Sequence, residues 1–338
     1  MAKYQEISIK EFEDISINHI EDNEAKTGVS VIYFKNGARV GIDISGGGPA
    51  SRETALTSPL TADNPINAIV LSGGSAFGLA ASDGVMKCLE DHDIGYDTTY
   101  AKVPLVLGAS IYDLAYGKSD VRPDAKMGYE VMCKALDASS DLSGNIGAGV
   151  GATVGKVMGM QCASKSGLGH YFIKLGELII GAIVVVNAVG DIYDEKMQKI
   201  AGLMNQERSA YLDSEEVFMN FMAPRDLFNG NTTIGAVITN AKFNKGEMNK
   251  IASMTRNAYA RSINPVGTMA DGDMIFAAST GNIVADLNLV GILGARVMQK
   301  AIINAITSSK IDDEEYLRNC WGKLWKDMMN NIINIFKF

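Results

Sequence analysis

The feature that most limits the fold of this chain is a pair of strand-length runs without a charged residue. One covers residues 178–186 and the other residues 232–239. Short runs of this kind, rich in β-branched residues, are typical of buried strands. Helical patterns over about residues 194–208 and 284–307 lie between groups of strands. The sequence therefore predicts a mixed α and β domain, with sheets stacked between helical layers.

Two shorter stretches allow further local predictions. Residues 29–34 and 38–44 are β-type runs that flank Asn36 and Gly37, a dipeptide typical of tight turns. This arrangement predicts a β-hairpin. Residues 209–231 have no sustained apolar period and contain proline, asparagine and glycine, so they predict an exposed loop.

Charge and composition exclude several classes of partner. The 338 residues carry a formal net charge of -8, which argues against a nucleic-acid or anionic-membrane partner. The four cysteines have no CxxC or Cys/His metal spacing, so we expect free thiols, no metal and no cofactor. The N-terminus has no apolar signal region, and residues 178–186 are too few to span a bilayer. We expect a cytoplasmic protein with a small-molecule or peptide substrate.

Two motifs invite a functional interpretation and do not support it. The glycine-rich stretch 147–156 lacks the spacing of a Walker loop and only approximates a Rossmann motif. Ser75 lies in Gly-Ser-Ala-Phe-Gly, which is not the spacing of a nucleophile elbow, and we interpret it as a helix N-cap. The three histidines are scattered and favour structural roles.

The junction between Asn231 and Thr232 has a distinctive chemistry. A loop ends here and a strand begins with a hydroxyl residue. If the Thr232 hydroxyl attacked the Asn231 carbonyl, an ester would form, and its hydrolysis would leave Thr232 with a free α-amine. That amine titrates near pH 8 and can act as the base for its own hydroxyl. The same residues are also an ordinary turn before a β-branched strand, so residue type alone leaves both interpretations open.

Several separated blocks of the chain resemble the family of L-aminopeptidase/D-esterase and β-peptidyl aminopeptidases, which includes the nylon-oligomer endohydrolase. The blocks cover about residues 25–308 in order, which makes a chance similarity hard to sustain. They are residues 41–54, 68–79, 101–104 with 112–113, 149–156, the strand ending at Asn187, 231–235 and 271–276.

The resemblance implies an α+β fold, a layered αββα sandwich of the N-terminal-nucleophile type. It also implies one precursor that is cleaved into a large chain, residues 1–231, and a small chain, residues 232–338, which stay together. Thr232 would be the nucleophile after Asn231, in the threonine branch of the family. Thr233 is the alternative nucleophile if the cut lies one bond later.

The resemblance implies roles for five further residues. Asn187, at the end of a buried strand, could donate to an oxyanion or merely cap a turn. Lys156 could bring positive charge to the nucleophile or remain an ordinary solvated lysine. Asp271 and Asp273 should point the same way and orient the ammonium or hydroxyl of Thr232. Tyr112 could line the substrate pocket, although a buried tyrosine bonded to backbone is the structural alternative.

The implied activity is amide hydrolysis through an acyl-enzyme, as an aminopeptidase on small peptides or amino-acid amides. An amidase for non-peptide oligoamides, an acyltransferase like the related fold that acetylates ornithine, and a non-enzymatic binding protein are the alternatives. The resemblance also implies a homo-oligomer, a tetramer of processed units. Beyond about residue 310 the family pattern ends, and residues 311–338, with Trp321 and Trp325, predict an extra amphipathic helix. We expect it to pack on the protein or on another subunit, and a membrane-surface helix is the alternative.

Overall fold

A computed structural model describes residues 4–220 and 230–320. The described strands and helices, numbered in chain order, have these bounds: β1 Gln5–Ile7, β2 Ile15–Asp22, β3 Thr27–Ile44, β4 Ala50–Arg52, β5 Ile66–Ser72, α1 Ala81–Asp91, β6 Tyr96–Asp97, β7 Lys102–Val103, β8 Val106–Ser110, α2 Ala125–Asp137, β9 Thr153–Val154, β10 Ser164–Lys165, β11 Leu168–Leu175, β12 Leu178–Asn187, β13 Asp191–Tyr193, β14 Lys199–Ala201, α3 Ser214–Met219, β15 Thr232–Ala241, α4 Lys245–Thr255, α5 Asn257–Ser262, β16 Ile263–Asn264, β17 Met274–Ile283 and α6 Leu287–Thr307.

One continuous sheet organises the described part of the molecule. Its strand order is β1-β11-β12-β15-β17-β3-β5-β8-β4, and β2 also pairs with β3. β15 and β17 are parallel neighbours, whereas β12 and β15 are antiparallel. β3 is 18 residues long and joins two halves of the sheet, because residues 29–33 pair with β5 and residues 39–44 pair with β17.

The two halves of the sheet pack face to face, and helices cover their outer faces. A central core combines Ile32 and Leu71 from one half with Ile234 and Phe276 from the other. A second core lies between α4, α5 and α6 and the outer face of β11, β12, β15 and β17. A third lies between α1 and α2 and the outer face of β3, β5 and β8. The order helix, sheet, sheet, helix confirms the predicted αββα sandwich.

The strand β12 explains why its sequence is apolar throughout. Ile183 and Val185 face the central core, whereas Val184 and Val186 face the core beneath the helices. Successive side chains of a strand point to opposite faces, so a strand buried on both faces needs apolar residues at every position. β15 alternates in the same way. The predicted strands at 178–186 and 232–239 and the predicted helix ending at 307 are confirmed.

The predicted hairpin at Asn36 and Gly37 is wrong. Both residues lie inside β3, where the chain bends at Gly37, whose φ is +74°. The runs on either side pair with β5 and β17 instead of with each other. The turn dipeptide therefore serves as a bend in a strand that passes from one half of the sheet to the other, because long-range pairing overrides the local turn preference.

The predicted helix at 194–208 is also wrong. β13 and β14 form an antiparallel pair there, and Met197 has a φ of +59° in the connecting turn. The buried Asp191 carboxylate holds this region by accepting hydrogen bonds from Lys199 Nζ at 2.7 Å, Leu203 N at 2.8 Å and Ser214 N at 2.9 Å. These long-range contacts decide the backbone conformation.

Two smaller predictions need correction. The predicted loop at 209–231 contains α3, which Asp213 caps by accepting from Glu215 N and Glu216 N; residues 221–229 lie outside the described ranges. Ser75 is not a side-chain N-cap. Ser75 itself has a φ of +56°. It follows Gly74 and begins a 3-10 turn with no side-chain capping bond.

The two most apolar C-terminal segments differ in what the structure describes. Of the described helices, α6 alone is long and apolar enough to cross a membrane, and 61% of its most apolar window is buried inside the protein. Residues 313–320 are helical, whereas Trp321, Trp325 and the rest of the predicted terminal helix lie outside the described residues. Tyr316, in the described part, is 1% exposed and packs on the protein itself.

Candidate active site

The junction of Asn231 and Thr232 is buried at the start of β15. The two residues are 2% and 5% exposed. Thr232 pairs with Asn187 of the neighbouring strand β12, and Asn231 forms an isolated parallel β-bridge with Asp271. The Thr232 hydroxyl donates a hydrogen bond to the carbonyl oxygen of Asn231. The predicted nucleophile therefore touches the peptide group that it would attack.

A backbone amide supports the same carbonyl from the other side of the junction. Gly272 N donates to Asn231 O at 2.8 Å. A side chain at position 272 would place its Cβ 2.9 Å from both Thr232 Oγ1 and Gly48 O, so only glycine leaves room. The Asn231 carbonyl thus has a fixed amide donor where negative charge would develop in an attack.

Asn187 and Lys156 meet one residue upstream of the junction, at the Gly230 carbonyl. Asn187 Nδ2 and Lys156 Nζ each donate to Gly230 O at 3.2 Å. Lys156 Nζ also donates to the Asn187 carbonyl at 2.9 Å and to its Oδ1 at 3.0 Å. Thr153 N donates to the same Oδ1 at 3.1 Å, which fixes the orientation of the Asn187 amide. Two buried side-chain donors therefore converge on one carbonyl.

The pKa of the Lys156 ammonium lies near neutral pH. Burial lowers the pKa of its ammonium to about 7, and the carboxylates of Asp271, Asp273 and Asp113 partly oppose this by favouring the charged form. Its three acceptors match the three protons of an ammonium group. The residue is 4% exposed, so it is not an ordinary solvated lysine.

Asp271 and Asp273 brace the backbone around the junction. Asp273 accepts from Thr233 N at 2.6 Å and from Gly267 N at 2.9 Å. Asp271 accepts from Thr268 N at 2.8 Å and from Thr268 Oγ1 at 2.6 Å. Burial raises the pKa of both carboxyl groups, and the charge of Asp271 adds to the rise at Asp273. These bonds serve the neighbours of Thr232 rather than Thr232 itself.

Tyr112 lines a cavity next to the junction. Its ring packs on Gly230, whose φ of +64° and lack of a Cβ make that approach possible, and its carbonyl accepts from Asn187 Nδ2 at 3.0 Å. The cavity has a volume of about 210 Å³. Its lining residues are Tyr112, Ala115, Lys156, Gly159 and Met160. The structure therefore brings together all seven residues predicted for the site and the cut.

Sequence reasoning missed several residues that build this site. Gly272 was visible only as the spacer of Asp-Gly-Asp, and Gly230 only as part of a loop. Asp113 is buried and accepts from Gly74 N and Thr27 Oγ1, both at 2.7 Å; burial raises its pKa to about 6. Lys165 donates to the carbonyls of Gly149, Ala152 and Ser166. Its sequence neighbours give no signal of that role.

Lys165 also shows what the glycine-rich stretch does. Its side chain is half-buried against the backbone of residues 149–152, and burial lowers the pKa of its ammonium to about 7. The carbonyls it binds belong to the backbone that leads to Lys156. The glycines allow close packing, since a Cβ at Gly151 would lie 2.6 Å from Asp113 Cβ. The stretch is a packed support for Lys156.

The histidines and cysteines lie outside the group of residues at the Asn231–Thr232 junction. His19 Nδ1 is bonded to Ser30 Oγ at 2.8 Å, and His170 to Ser143 Oγ and Asp141 Oδ1, both at 3.0 Å. Within residues 4–220 and 230–320, no cluster of three His, Cys, Asp or Glu side chains could hold a metal ion. The cysteines are all unpaired thiols.

The fold is shared with solved aminopeptidases. The structure titled L-aminopeptidase D-Ala-esterase/amidase from Ochrobactrum anthropi, described as a variant of the Ntn hydrolase fold, matches with a TM-score of 0.64 at 18% identity, over 93% of each chain. A β-aminopeptidase of Burkholderia sp. matches with a TM-score of 0.63 at 16% identity, over 88% of this chain and 86% of that one. At these identities the likeness concerns the fold.

Sequence comparison identifies the family. An uncharacterised aminopeptidase of Mycobacterium leprae (strain TN) is 35% identical over 263 residues, which cover 76% of this chain and 72% of that protein. A 6-aminohexanoate-oligomer endohydrolase of Agromyces sp. (strain KY5R) is 31% identical over 313 residues, 87% of this chain and 84% of that protein. The model of Peptidase family S58 matches residues 8–314. The chain therefore belongs to Peptidase family S58, as its motifs predicted, and is a hydrolase of amide bonds.

Proposed function

We propose that the chain cleaves its own bond between Asn231 and Thr232, and that Thr232 then hydrolyses amide bonds of external substrates. The observation that carries this proposal is the double contact on the Asn231 carbonyl oxygen. Thr232 Oγ1 and Gly272 N both donate to it, the latter at 2.8 Å. A nucleophile and an oxyanion donor are thus in place on the same peptide group.

In the first step, Thr232 Oγ1 attacks the Asn231 carbonyl carbon. The developing oxyanion is held by the Gly272 amide, the C–N bond breaks, and the hydroxyl proton ends on the Thr232 nitrogen. The product is an ester between Asn231 and Thr232. Water hydrolyses this ester and leaves a carboxylate on Asn231 and a free α-amine on Thr232.

In the second step, the new α-amine accepts the proton of its own hydroxyl while that hydroxyl attacks a substrate. An unperturbed α-amine has a pKa of about 8, so a useful fraction is neutral near pH 7. Asn187 Nδ2 and Lys156 Nζ, which hold the Gly230 carbonyl in the uncut chain, become free to bind a substrate oxyanion when residues 230–231 withdraw. Water then releases the acyl group from Thr232.

Self-cleavage is tested by intact-mass analysis. The wild-type protein should give two chains, residues 1–231 and 232–338, and Thr232→Ala should remain whole. A cut one bond later would make Thr233 the nucleophile. A wild-type chain that stays in one piece contradicts the proposal and favours a binding protein.

We propose an aminopeptidase acting on small peptides or amino-acid amides. The small cavity beside Tyr112 supports it, since about 210 Å³ is below the roughly 300–1,000 Å³ of pockets for drug-sized ligands. The 31% identity to a 6-aminohexanoate-oligomer endohydrolase favours a second candidate, an amidase for oligoamides. Rates on amino-acid p-nitroanilides and on 6-aminohexanoate oligomers, measured on one preparation, separate the two. An added amine acceptor tests acyl transfer, because its acylated product would appear.

Two further proposals concern the oligomeric state of the enzyme and its location in the cell. We propose a homo-oligomer of processed units, up to the tetramer that the family resemblance implies. Val284, which precedes α6, and Leu289 and Ile292 in its first turns are 94%, 38% and 61% exposed and offer an apolar surface for it. The cytoplasm as its location stays a proposal from composition. Mass in solution and cell fractionation test the two.

A further inference from the structure

The helical segment 313–320 lies at the edge of what the family shares. The family model matches residues 8–314 and so ends within this segment. Its buried residue, Tyr316, forms a small apolar cluster with Tyr116 and Ala163, and Met160 packs against that cluster. Met160 also lines the cavity beside Lys156. A segment at the end of the family match thus contacts a residue that lines the proposed substrate cavity.

The segment holds one wall of the cavity through the backbone of Met160. Tyr316 OH donates to Met160 O at 2.8 Å, and Cys320 Sγ donates to the same oxygen at 3.7 Å. Met160 opens a 3-10 turn directly after Gly159, which has a φ of +95°. A carbonyl fixed by two side chains of the helix restricts where this turn can lie.

The segment also holds the facing wall, on the stretch that follows Tyr112 and Ala115. The rings of Tyr316 and Tyr116 stack with centroids 5.5 Å apart. Gly117 N donates to Asn319 O at 3.0 Å. One helix is therefore bonded to both sides of the cavity.

Two ion pairs tie the helix to the body of the protein. Arg208 Nε lies 2.6 Å from Asp313 Oδ1, and Lys26 Nζ lies 3.8 Å from Glu315 Oε1. The Arg208 guanidinium also lies 4.5 Å from the centre of the Tyr316 ring. These contacts fix the position of Tyr316.

We infer that helix 313–320 determines substrate specificity by setting the width of the cavity, with Tyr316 as a positioning residue that acts through Met160. This inference rests on the proposed hydrolysis by Thr232. Among the described residues that line the cavity, Lys156 alone is charged, and its ammonium is bonded to Asn187 and, in the proposed reaction, to the substrate oxyanion rather than to a substrate side chain. Ala115 and Met160 leave a small apolar space. The favoured substrate residue therefore has a small, uncharged side chain.

The test compares kcat/KM for the p-nitroanilides of alanine, leucine and phenylalanine. We expect wild type to prefer alanine. Met160→Ala should raise the leucine-to-alanine ratio about tenfold, within the range that one or two methylenes contribute in an apolar pocket. Tyr316→Phe keeps the ring stack and removes the bond to Met160; it should raise the same ratio severalfold, mainly through KM for leucine.

Controls separate specificity from folding. Arg318→Ala lies on the same helix in an exposed pair with Glu314 and should leave the ratio unchanged. Asp313→Ala removes the exposed anchor to Arg208 without touching the cluster, so it serves if Tyr316→Phe does not fold, and it should shift the ratio in the same direction. Variants that lower all three rates equally, with the ratio unchanged, overturn the inference.

Failure of the proposed function has a different signature. In that case wild type itself releases no amine from any of the three substrates. The preference of the cavity is then measured by calorimetric titration of the purified protein, whether cleaved or whole, with free alanine and leucine. Binding of alanine over leucine that weakens in Tyr316→Phe supports the role of the helix, and equal preference in both proteins contradicts it.

Discussion

At the residue scale, the junction depends on positions that have no reactive side chain. Gly272 supplies only an amide and empty space, and Gly230 supplies a carbonyl on which Asn187 and Lys156 converge. An oxyanion that forms on an attacked carbonyl is best stabilised by donors that are in place before the reaction, because no energy is then spent on reorganising them. The site therefore requires glycine at positions 230 and 272 as well as threonine at position 232.

Substitution of Gly272 should slow self-cleavage more than it disturbs the fold. In Gly272→Ala the new Cβ would crowd Thr232 Oγ1 and Gly48 O, each 2.9 Å away, and displace the hydroxyl or the amide donor. We expect a decrease of roughly a hundredfold, as for loss of an oxyanion donor. Gel densitometry of freshly purified protein measures the rate. Gly246→Ala, where the nearest atom is 3.3 Å away, is the matched control and should be processed normally.

Lys156 can be tested by a substitution that keeps its shape. Lys156→Met fills the buried channel without a charge or a donor, so the Gly230 carbonyl loses one of its two side-chain donors. Amidase activity of the cleaved protein should fall by roughly a hundredfold or more, because the substrate oxyanion loses one of its two proposed side-chain donors. The exposed Lys126 on α2 provides the control Lys126→Met. Amidase activity at the wild-type rate in cleaved Lys156→Met would remove Lys156 from the mechanism.

At the element scale, the interior strands could be predicted and the places where strands bend could not. β12 and β15 are apolar on both faces, and that pattern is encoded locally. The bend of β3 at Gly37 depends on β5 and β17, which are distant in sequence. The β13 and β14 pair depends on the buried Asp191. Local patterns carry no information about such partners.

The strand β2 carries a histidine whose burial makes stability depend on pH. Burial, with a smaller effect of His170, lowers the pKa of His19 to about 3 from 6.5. Between these values the unfolded chain binds more protons than the folded one, so stability is lost as the pH falls from 6.5 toward 3. For the lowered pKa cited, the loss at pH 4 is on the order of 3 kcal/mol.

Urea unfolding at pH 7 and pH 4 measures this effect, in a Thr232→Ala background where the chain stays whole. His19→Gln should lose less stability on acidification than its parent, by roughly 3 kcal/mol. His92→Gln replaces an exposed histidine and should behave like the parent. Equal losses in His19→Gln and the parent would contradict a buried neutral histidine.

At the scale of the whole molecule, the two proposed chains are interleaved in one sheet. β15 would belong to the small chain, and it pairs with β12 of the large chain from Ile180 to Asn187. β17 of the small chain pairs with β3 of the large chain from Arg39 to Ile44. Their side chains fill the same central core. Cleavage would therefore break the backbone and leave the sheet intact.

Both chains should accordingly co-elute from a sizing column in native buffer and separate only in denaturant. The reason is that separation would expose the buried faces of β12, β15, β17 and β3 together. Electrophoresis of the eluted peak should give the two chains in equal molar amounts. Elution of the small chain alone would show that cleavage frees it.

The residues of the candidate site, like the elements of the fold, divide into those that the sequence predicted and those that it could not predict. Thr232, Asn187, Lys156 and the two aspartates were accessible from the sequence because a family resemblance carried them. Gly272 and Met160 were not, because each acts through a contact between segments that are far apart in the chain. Lys165 was not, because its role depends on a turn that brings carbonyls 13 and 16 residues earlier against its ammonium. Their roles exist only once the sheet and its loops are folded.

The hydrogen bond from Gly272 to Asn231 also orders events in time. The donor lies 41 residues after the acceptor, beyond β15, α4 and α5. A nascent chain that has just emerged through Thr232 therefore lacks the group that activates its own scission. The chain becomes competent only when β17 has docked beside β15, so the cut would mark completed folding and a misfolded copy would keep its backbone whole.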